Sequence, residues 1–489
     1  MPPLLTKEAV AKARTQNKKP EVLERQRLNV RYHVEDPVME ERPRRFLEVF
    51  ATILENTNYG FVLDHYLRVR AKCSRCASEC FLYQATGDPD DVPCARSSLL
   101  LDTYQRYFTI GGKLKSLFTD WELTDEIIEK MANSVYNCTA CRRCMLECPV
   151  GIDHGLLTHL ARYILSEIGI SPRALVISTR AQLDGEHRNT SNIPAIALKD
   201  TIEFLEEEME EEKEVQIKMP LDKEDAEYVF FSPVSDYLME ADTLMGIAAV
   251  MHAAGENWTI GTHFPDAINY GLFYSDRLMD RILKEVDAET RRLRGKKILI
   301  GECGHASRTA KMFLPTFTPS GDPFPVIHIL EYTYDAWKKG KIKLIPDAIV
   351  ERVTYHDPCN IARTGWITEK PRELIRAFCK DFVEMTPNRE ENYCCGGGGG
   401  TVSIDELRPY RTGISGKAKA EQIRATGAKY VIAPCANCKK QLREVVEDNG
   451  LDCEIVGLHD LIYKALVLEK PAEKEESEVA GEERKETSS

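Results

Sequence analysis

The 489-residue chain carries 65 Lys and Arg against 78 Asp and Glu, a formal net charge of −13. That balance argues against nucleic acid as a partner, which needs a basic stripe, and no apolar run approaches the ~18 residues of a membrane span. The first residues show no secretory signal, so a cytoplasmic location is expected, where sixteen cysteines point to metal or redox use rather than disulfides.

Residues 1–65 read as an N-terminal helical segment, charged and helix-prone, with an aromatic stretch, "RPRRFLEVFATILENTNYGFVLDHYL", expected to pack on a partner or on the next domain. Residues 66–170 are expected to form an α-helical ferredoxin domain. Within it, "CTACRRCMLECPVG" sets Cys138, Cys141, Cys144 and Cys148 at the C-x2-C-x2-C-x3-C-P spacing of a [4Fe–4S] site, whose fourth cysteine serves a neighbouring cluster. Zinc would want two separated ligand pairs. The second set is irregular: Cys73, Cys76 and Cys80, then Cys94 after a turn-rich loop. Eight thiols fit two cubane clusters, one held by Cys73, Cys76, Cys94 and Cys148 and the other by Cys80, Cys138, Cys141 and Cys144. The plainer alternative for Cys94 is a loop thiol.

Residues 171–222, with the charge run "TIEFLEEEMEEEKEVQ", read as an acidic linker, a solvated helix or tether. An internal repeat follows. "GKKILIGECGHASRTAKMFL" and "GAKYVIAPCANCKKQLREVV" share the order strand, cysteine turn, helix, with Cys303 falling on Cys435. Upstream, Ser232-Pro233-Val234 falls on Asp357-Pro358-Cys359. Two α/β units with parallel-type strands are expected, a cysteine-poor one at 223–345 and a cysteine-rich one at 346–468. The fold class is therefore α+β multidomain: a helical dicluster ferredoxin domain and two α/β repeats. Residues 469–489 form an acidic tail without large apolar residues, expected to be disordered.

The second repeat contains "ENYCCGGGGG". Cys359 ends a strand, Cys394 and Cys395 precede the glycines, and Cys435 and Cys438 flank the start of a helix. Parallel α/β units gather such loops at the carboxyl ends of their strands, and a helix N-terminus favours thiolates. Five thiolates exceed what one cubane or zinc needs, so adjacent sulfurs could bridge irons in an unusual cluster. A four-cysteine zinc or cubane site with one idle thiol is the plainer alternative. Cys303 is either a further ligand or a buried structural cysteine. His356, His305 and, less so, Lys439 are candidate proton donors, though a histidine at a strand end is often structural. Cys379 and Cys453 lack partner spacing and suit small buried positions.

C-x34-CC-G…C-x2-C resembles the CCG domain of the heterodisulfide reductase-like (HdrD-like) family. With "AAGENWTIGTHFPDAINYGLFYSD" (253–276) and a single intact motif, the chain is most similar to the DsrK/HmeD-type branch, the iron–sulfur subunits of DsrMKJOP (Hme) complexes. The resemblance implies a non-cubane [4Fe–4S] cluster on Cys359, Cys394, Cys395, Cys435 and Cys438, beside the two cubanes. It implies a haem-b, DsrM-like integral membrane partner exchanging electrons with menaquinol, other complex subunits, and peripheral attachment to the membrane through that partner. The implied substrate is a DsrC-type small protein bearing a disulfide or trisulfide, reduced in dissimilatory sulfate reduction. The alternative function is an electron-transfer subunit of a glycolate/lactate or glycerol-3-phosphate dehydrogenase-type complex, whose relatives carry CCG motifs too.

Overall fold

A computed structural model describes residues 28–469 except 36, 38–39, 72, 116–117, 119 and 319–320. The expectations for residues 1–27 and for 470–489 lie outside the described residues. No helix among the described residues is long and apolar enough to cross a membrane.

The chain is a mixed helix-and-strand protein with two parallel sheets. Its N-terminal third is helical. In Arg42–Asn56, Phe46, Phe50 and Ile53 recur at helical spacing and are buried, so one stripe faces inward. They join Leu100, Met131, Leu157 and Leu160, from the helices Pro93–Phe108, Asp125–Asn137 and His154–Glu167, in a single core. The aromatic stretch before residue 66 thus packs on the helices of its own chain. Asp153 caps His154–Glu167, its Oδ1 accepting from Leu156 N at 3.0 Å. That fixes where the chain leaves the cysteine loop.

The first sheet comprises β1 (Tyr228–Phe231), β2 (Trp258–Ile260), β3 (Lys297–Ile300) and β4 (Val326–His328), in the order β2-β1-β3-β4. The second comprises β5 (Ile349–Tyr355), β6 (Cys379–Glu384), β7 (Tyr430–Ile432) and β8 (Glu454–Val456), in the order β6-β5-β7-β8. All the pairings are parallel, so the internal repeat is one topology used twice. The apolar run Tyr228–Phe231 is buried at every position, as a strand covered on both faces requires. In each sheet the strand order reverses beside the first strand, which opens a crevice at the carboxyl ends of β1 and β3 and again of β5 and β7.

The halves share a core: Ile247, Val250 and Leu299 of the first pack with Val353, Leu374 and Leu461 of the second. Helices Ala241–Ala253 and Leu458–Ala465 approach so closely that a Cβ on Gly246 would stand 2.1 Å from the His459 carbonyl oxygen.

One expectation needs correction. Residues 171–222 are not a free linker. Helix Ala195–Lys213 buries Leu198, Ile202, Leu205 and Met209 on the core of the first sheet and turns its glutamates outward. Four apolar residues spaced by three to four suffice for a packed face; the charge run masks them.

Candidate metal and redox centre

The helical part gathers its eight cysteines in two groups. Cys73, Cys76, Cys94 and Cys148 line one cavity, beside Pro149 and His154. Cys80, Cys138, Cys141 and Cys144 line another, beside Arg96 and Arg143. Chain reversal after Cys144 carries Cys148 away from its sequence neighbours to the first group. In that group Cys94 is lowered to about 6 by the hydrogen bond from Cys76, and Ser74 Oγ lies 3.7 Å from its sulfur. In the other, burial pushes Cys80 up to about 12. Arg96, 3 % exposed, donates to the carbonyls of Ser134 and Asp91. Burial opposes its charge, but the Cys138 and Cys80 thiols hold it above its ordinary value. Four soft donors in one wall with a buried cation behind them suit an anionic iron–sulfur cluster. Backbone N–H groups already point at the sulfurs, Ala140 N to Cys138 and Ile152 N to Cys148, each at 3.3 Å.

The five cysteines of the second repeat meet at the crevice between β5 and β7. Cys359 opens a short helix behind Pro358, and Cys435 is the N-cap of Ala436–Asp448. Cys394, Cys395, Cys435 and Cys438 are buried, whereas Cys359 is half-buried, so the group is open on one side. Gly396 N and Gly397 N each donate at 3.4 Å, to Cys394 and Cys395 respectively. Gly396 takes φ 101°, which an L side chain rarely adopts, and this turn lets both adjacent sulfurs face one point. Hydrogen bonds from Cys394 and Cys438 hold Cys395 well below the ordinary thiol value, and Cys438 does the same for Cys435.

His356 belongs to this group. Its ligand atom lies within 4.8 Å of the Cys395 and Cys438 sulfurs. Asn392 Nδ2 donates to His356 Nδ1 at 3.1 Å, so the ring proton sits on Nε2, a buried nitrogen with no hydrogen-bond partner. Burial, then Lys419, pushes the imidazole below its usual range, which leaves it neutral at pH 7. Cys303 lies across the boundary between repeats, fully buried, 3.5 Å from His305 Nδ1. Burial and the neighbouring Cys435 thiol raise it. Both histidines and Cys303 are therefore brought to the five cysteines. Lys439 is not: its Nζ donates to Thr243 Oγ1 at 2.6 Å and pairs with Glu240 at 3.2 Å, tying the repeats together.

The same boundary buries several acids. Glu302 Oε1 accepts from His459 N at 3.0 Å and from its Nδ1 at 2.7 Å. Ser232 Oγ donates to Asp236 Oδ2 at 2.5 Å, and Asp236 Oδ1 has no partner. Burial pushes Asp236 up to about 7, against the pull of Lys439. Unfolded, the same group titrates near ~3.9. Between those values the folded chain holds a proton that the unfolded chain has lost, so stability falls as pH rises through this window and levels off above it. Asp236→Asn should remove the slope. We expect it to match the parent chain in urea midpoint at pH 4 and to exceed it at pH 8 by roughly 2–4 kcal/mol; a parent-like slope in the variant would refute this.

The two cysteine regions touch. Cys141 and Cys394 are hydrogen-bonded to each other through their thiols. Phe81, Cys394, Cys395, Cys435 and Cys438 form one buried cluster against which Cys141 packs. Three arginines stitch the loops together. Arg162 Nη2 donates to Cys138 O at 2.6 Å and its Nη1 to Gly399 O at 2.8 Å. Arg143 Nε donates to Glu391 O at 2.8 Å and Arg363 Nη1 to Cys141 O at 3.1 Å. Gly398 sits so close to the Thr139 carbonyl that a Cβ there would stand 2.6 Å from its oxygen. Sequence reasoning misses these arginines. The only signal for them is position, since Arg143 lies inside the cysteine motif and Arg363 one helical turn after Cys359.

Comparison with known proteins agrees with this layout. Residues 71–152 match the 4Fe-4S dicluster domain and residues 353–443 the cysteine-rich CCG domain. The chain is similar to the Hdr-like menaquinol oxidoreductase iron-sulfur subunit 2 of Archaeoglobus fulgidus, 28 % identical over 89 % of this chain and 86 % of that protein. An iron-sulfur subunit of like name from Archaeoglobus profundus is 28 % identical over 88 % of this chain and 84 % of its own length. The HdrD-type polypeptide of the dihydromethanophenazine:CoB–CoM heterodisulfide reductase of Methanosarcina mazei is 26 % identical over 81 % of this chain and 93 % of its own length. With a dicluster domain, a CCG domain and relatives that align along most of its length, the chain belongs to the CCG-domain, heterodisulfide reductase-like (HdrD-like) family of iron–sulfur oxidoreductases.

Proposed function

We propose that the chain is the sulfur-reducing subunit of a membrane-associated, menaquinol-linked complex, and that it cleaves the disulfide or trisulfide of a DsrC-type small protein in sulfate reduction. The observation that carries this reading is the contact between Cys141 and Cys394, which joins a four-cysteine site of the ferredoxin part to the five-cysteine site. In this reading Cys73, Cys76, Cys94 and Cys148 hold one cubane, and Cys80, Cys138, Cys141 and Cys144 the other. Cys359, Cys394, Cys395, Cys435 and Cys438 hold a non-cubane [4Fe–4S] cluster. When bound, such a cluster supplies stored electrons and a Lewis-acidic iron suited to sulfur.

The reaction is R–S–S–R′ + 2 e⁻ + 2 H⁺ → R–SH + R′–SH. Oxidation of one quinol, named as substrate of the Archaeoglobus relatives, releases the required two electrons and two protons. The haem-b membrane subunit would take them up, and the chain would dock on its cytoplasmic face. His356 keeps its proton on Nε2 beside Cys395 and Cys438, and His305 faces Cys303; both are positioned to hydrogen-bond sulfur as charge develops there. The buried arginines fix the loops, and the packed walls exclude water from the sulfurs.

Low-temperature EPR of the anaerobic, oxidised full chain tests the proposal, recorded before and after addition of a DsrC-type disulfide or trisulfide. A paramagnetic signal that changes on addition is expected. Cubane signals that appear only on reduction, with none responding to the sulfur compound, would make the chain an electron conduit for a dehydrogenase partner instead.

A further inference from the structure

Where the helical part meets both repeats there is a cleft of about 540 Å³, within the size range of small-molecule sites. One wall holds Thr139 and Ala140, which lie between Cys138 and Cys141; another holds Asn360, the residue after Cys359. Cys359 is also the one half-buried member of the five, so the cleft lies on the open side of that site. Leu156, Phe273 and Phe313 give the cleft an apolar lining, and two guanidinium groups, Arg142 and Arg308, enter it.

Arg308 is the unusual feature. It is 8 % exposed and donates from Nη1 to Asn360 Oδ1 at 3.2 Å. Its Nε is buried without any hydrogen-bond partner, and no carboxylate pairs with it among the described residues. A buried cation normally has a counter-ion, because desolvating an unpaired charge is costly. The acids nearby are engaged elsewhere. Asp276 accepts from Tyr59 OH at 2.9 Å and pairs with His159 Nε2 at 2.7 Å. His159 Nδ1 faces the Leu272 carbonyl at 2.9 Å, so the imidazole offers a proton on both nitrogens and is itself cationic against Asp276. Arg142 pairs with Asp153 at 3.1 Å. The cleft is thus cationic, with one guanidinium left to be satisfied from outside.

We propose that this cleft receives the sulfur substrate and that Arg308, with Arg142 beside it, grips a carboxylate carried close to the S–S bond, which delivers sulfur to the Cys359 side of the site. A guanidinium takes a carboxylate through two parallel N–H···O bonds, and the free Nε supplies one of the donors. This inference rests on the disulfide-reductase reading but can fail separately from it.

The test uses the anaerobic holo chain and two probes, 3,3′-dithiodipropionate, with carboxylates flanking its disulfide, and the neutral bis(2-hydroxyethyl) disulfide. By titration calorimetry the charged probe should bind at least about tenfold more tightly. Arg308→Gln should remove that preference without changing the affinity for the neutral probe, and Arg308→Lys should keep part of it. Equal binding of the two probes, or a loss in Arg308→Gln shared equally by both, overturns the proposal. The comparison on the unsubstituted chain decides the matter even if the variant fails to fold. If the charged probe binds through Arg308 but does not reoxidise the reduced chain, the subsite stands and the reductase reading falls. If both probes reoxidise it with the same KM and Arg308→Gln alters neither, the reading stands and the subsite falls.

Discussion

Cys394→Ser should lower the rate at which a disulfide reoxidises the reduced chain by at least roughly 100-fold, a barrier increase of about 3 kcal/mol. Cys394 is buried, its thiol lies against those of Cys141, Cys359 and Cys395, and Gly396 N–H points at it from 3.4 Å. No other soft donor can move in, because the residues around it are the remaining cysteines and close-packed backbone. A serine hydroxyl fills the volume but is a hard, far less acidic donor that iron and sulfide disfavour. The group at Cys73, Cys76, Cys94 and Cys148 shares no residue with Cys394, so its reduced EPR signal should be unchanged. The signal of the group containing Cys141 should shift, because that cysteine loses its neighbour. Cys379→Ser is the control: Cys379 is buried at the start of β6, in the core under the second sheet, and its loss should cost stability and leave turnover intact. More than a third of parental turnover in Cys394→Ser would remove this cysteine from the chemistry.

Sequence and structure divide the explanation of this molecule unevenly. Strands of three to seven residues such as Tyr228–Phe231 and Ile349–Tyr355 stand out as apolar runs before cysteine or proline turns, because a parallel strand covered on both faces has no polar alternation to blur it. The repeat is visible for the same reason: the alignment of Cys303 with Cys435 becomes two N-cap positions after equivalent strands. Cysteines reveal themselves by spacing because a cluster needs several thiolates from a short length of chain. Contacts between distant segments carry no such periodicity. Nothing local marks Arg162, Arg363 or Arg308, whose partners lie up to 237 residues away in sequence. Helix Ala195–Lys213 is obscured differently, by composition: its glutamates dominate any average over the window, while the four buried residues are legible only by their spacing.

Arg162→Met should destabilise the chain by about 4 kcal/mol or more, a large part of the 5–15 kcal/mol by which folded domains are stable. The side chain is fully buried, with its guanidinium 4.6 Å above the Tyr136 ring and no carboxylate among its partners. It donates to four carbonyls: Val135 O at 2.7 and 3.1 Å, Cys138 O at 2.6 Å, Phe273 O at 3.2 Å and Gly399 O at 2.8 Å. Those carbonyls belong to the end of a ferredoxin helix, the first cysteine of its main motif, the first α/β repeat and the glycine loop. One planar group thus holds three parts of the chain in register at the point where two cysteine sites touch. Methionine fills most of the volume and satisfies none of the acceptors, each of which then costs about 1–3 kcal/mol to leave buried and unpaired. Burial pulls the guanidinium below its ordinary value, and the Tyr136 and Cys138 side chains oppose that pull, so the charge is kept by its surroundings rather than by solvent. Arg162→Lys should recover less than half of the loss, since an ammonium lacks the planar fork that reaches four oxygens on two sides. The midpoint of guanidinium-induced unfolding, followed by cluster absorbance and by tryptophan fluorescence, measures the effect. If the hinge argument holds, absorbance should be lost at lower denaturant than fluorescence in the variant, because the glycine loop is released before the sheets unfold. Coincident curves with a parental midpoint would show that the carbonyls find other partners and that the three parts do not depend on this residue for their alignment.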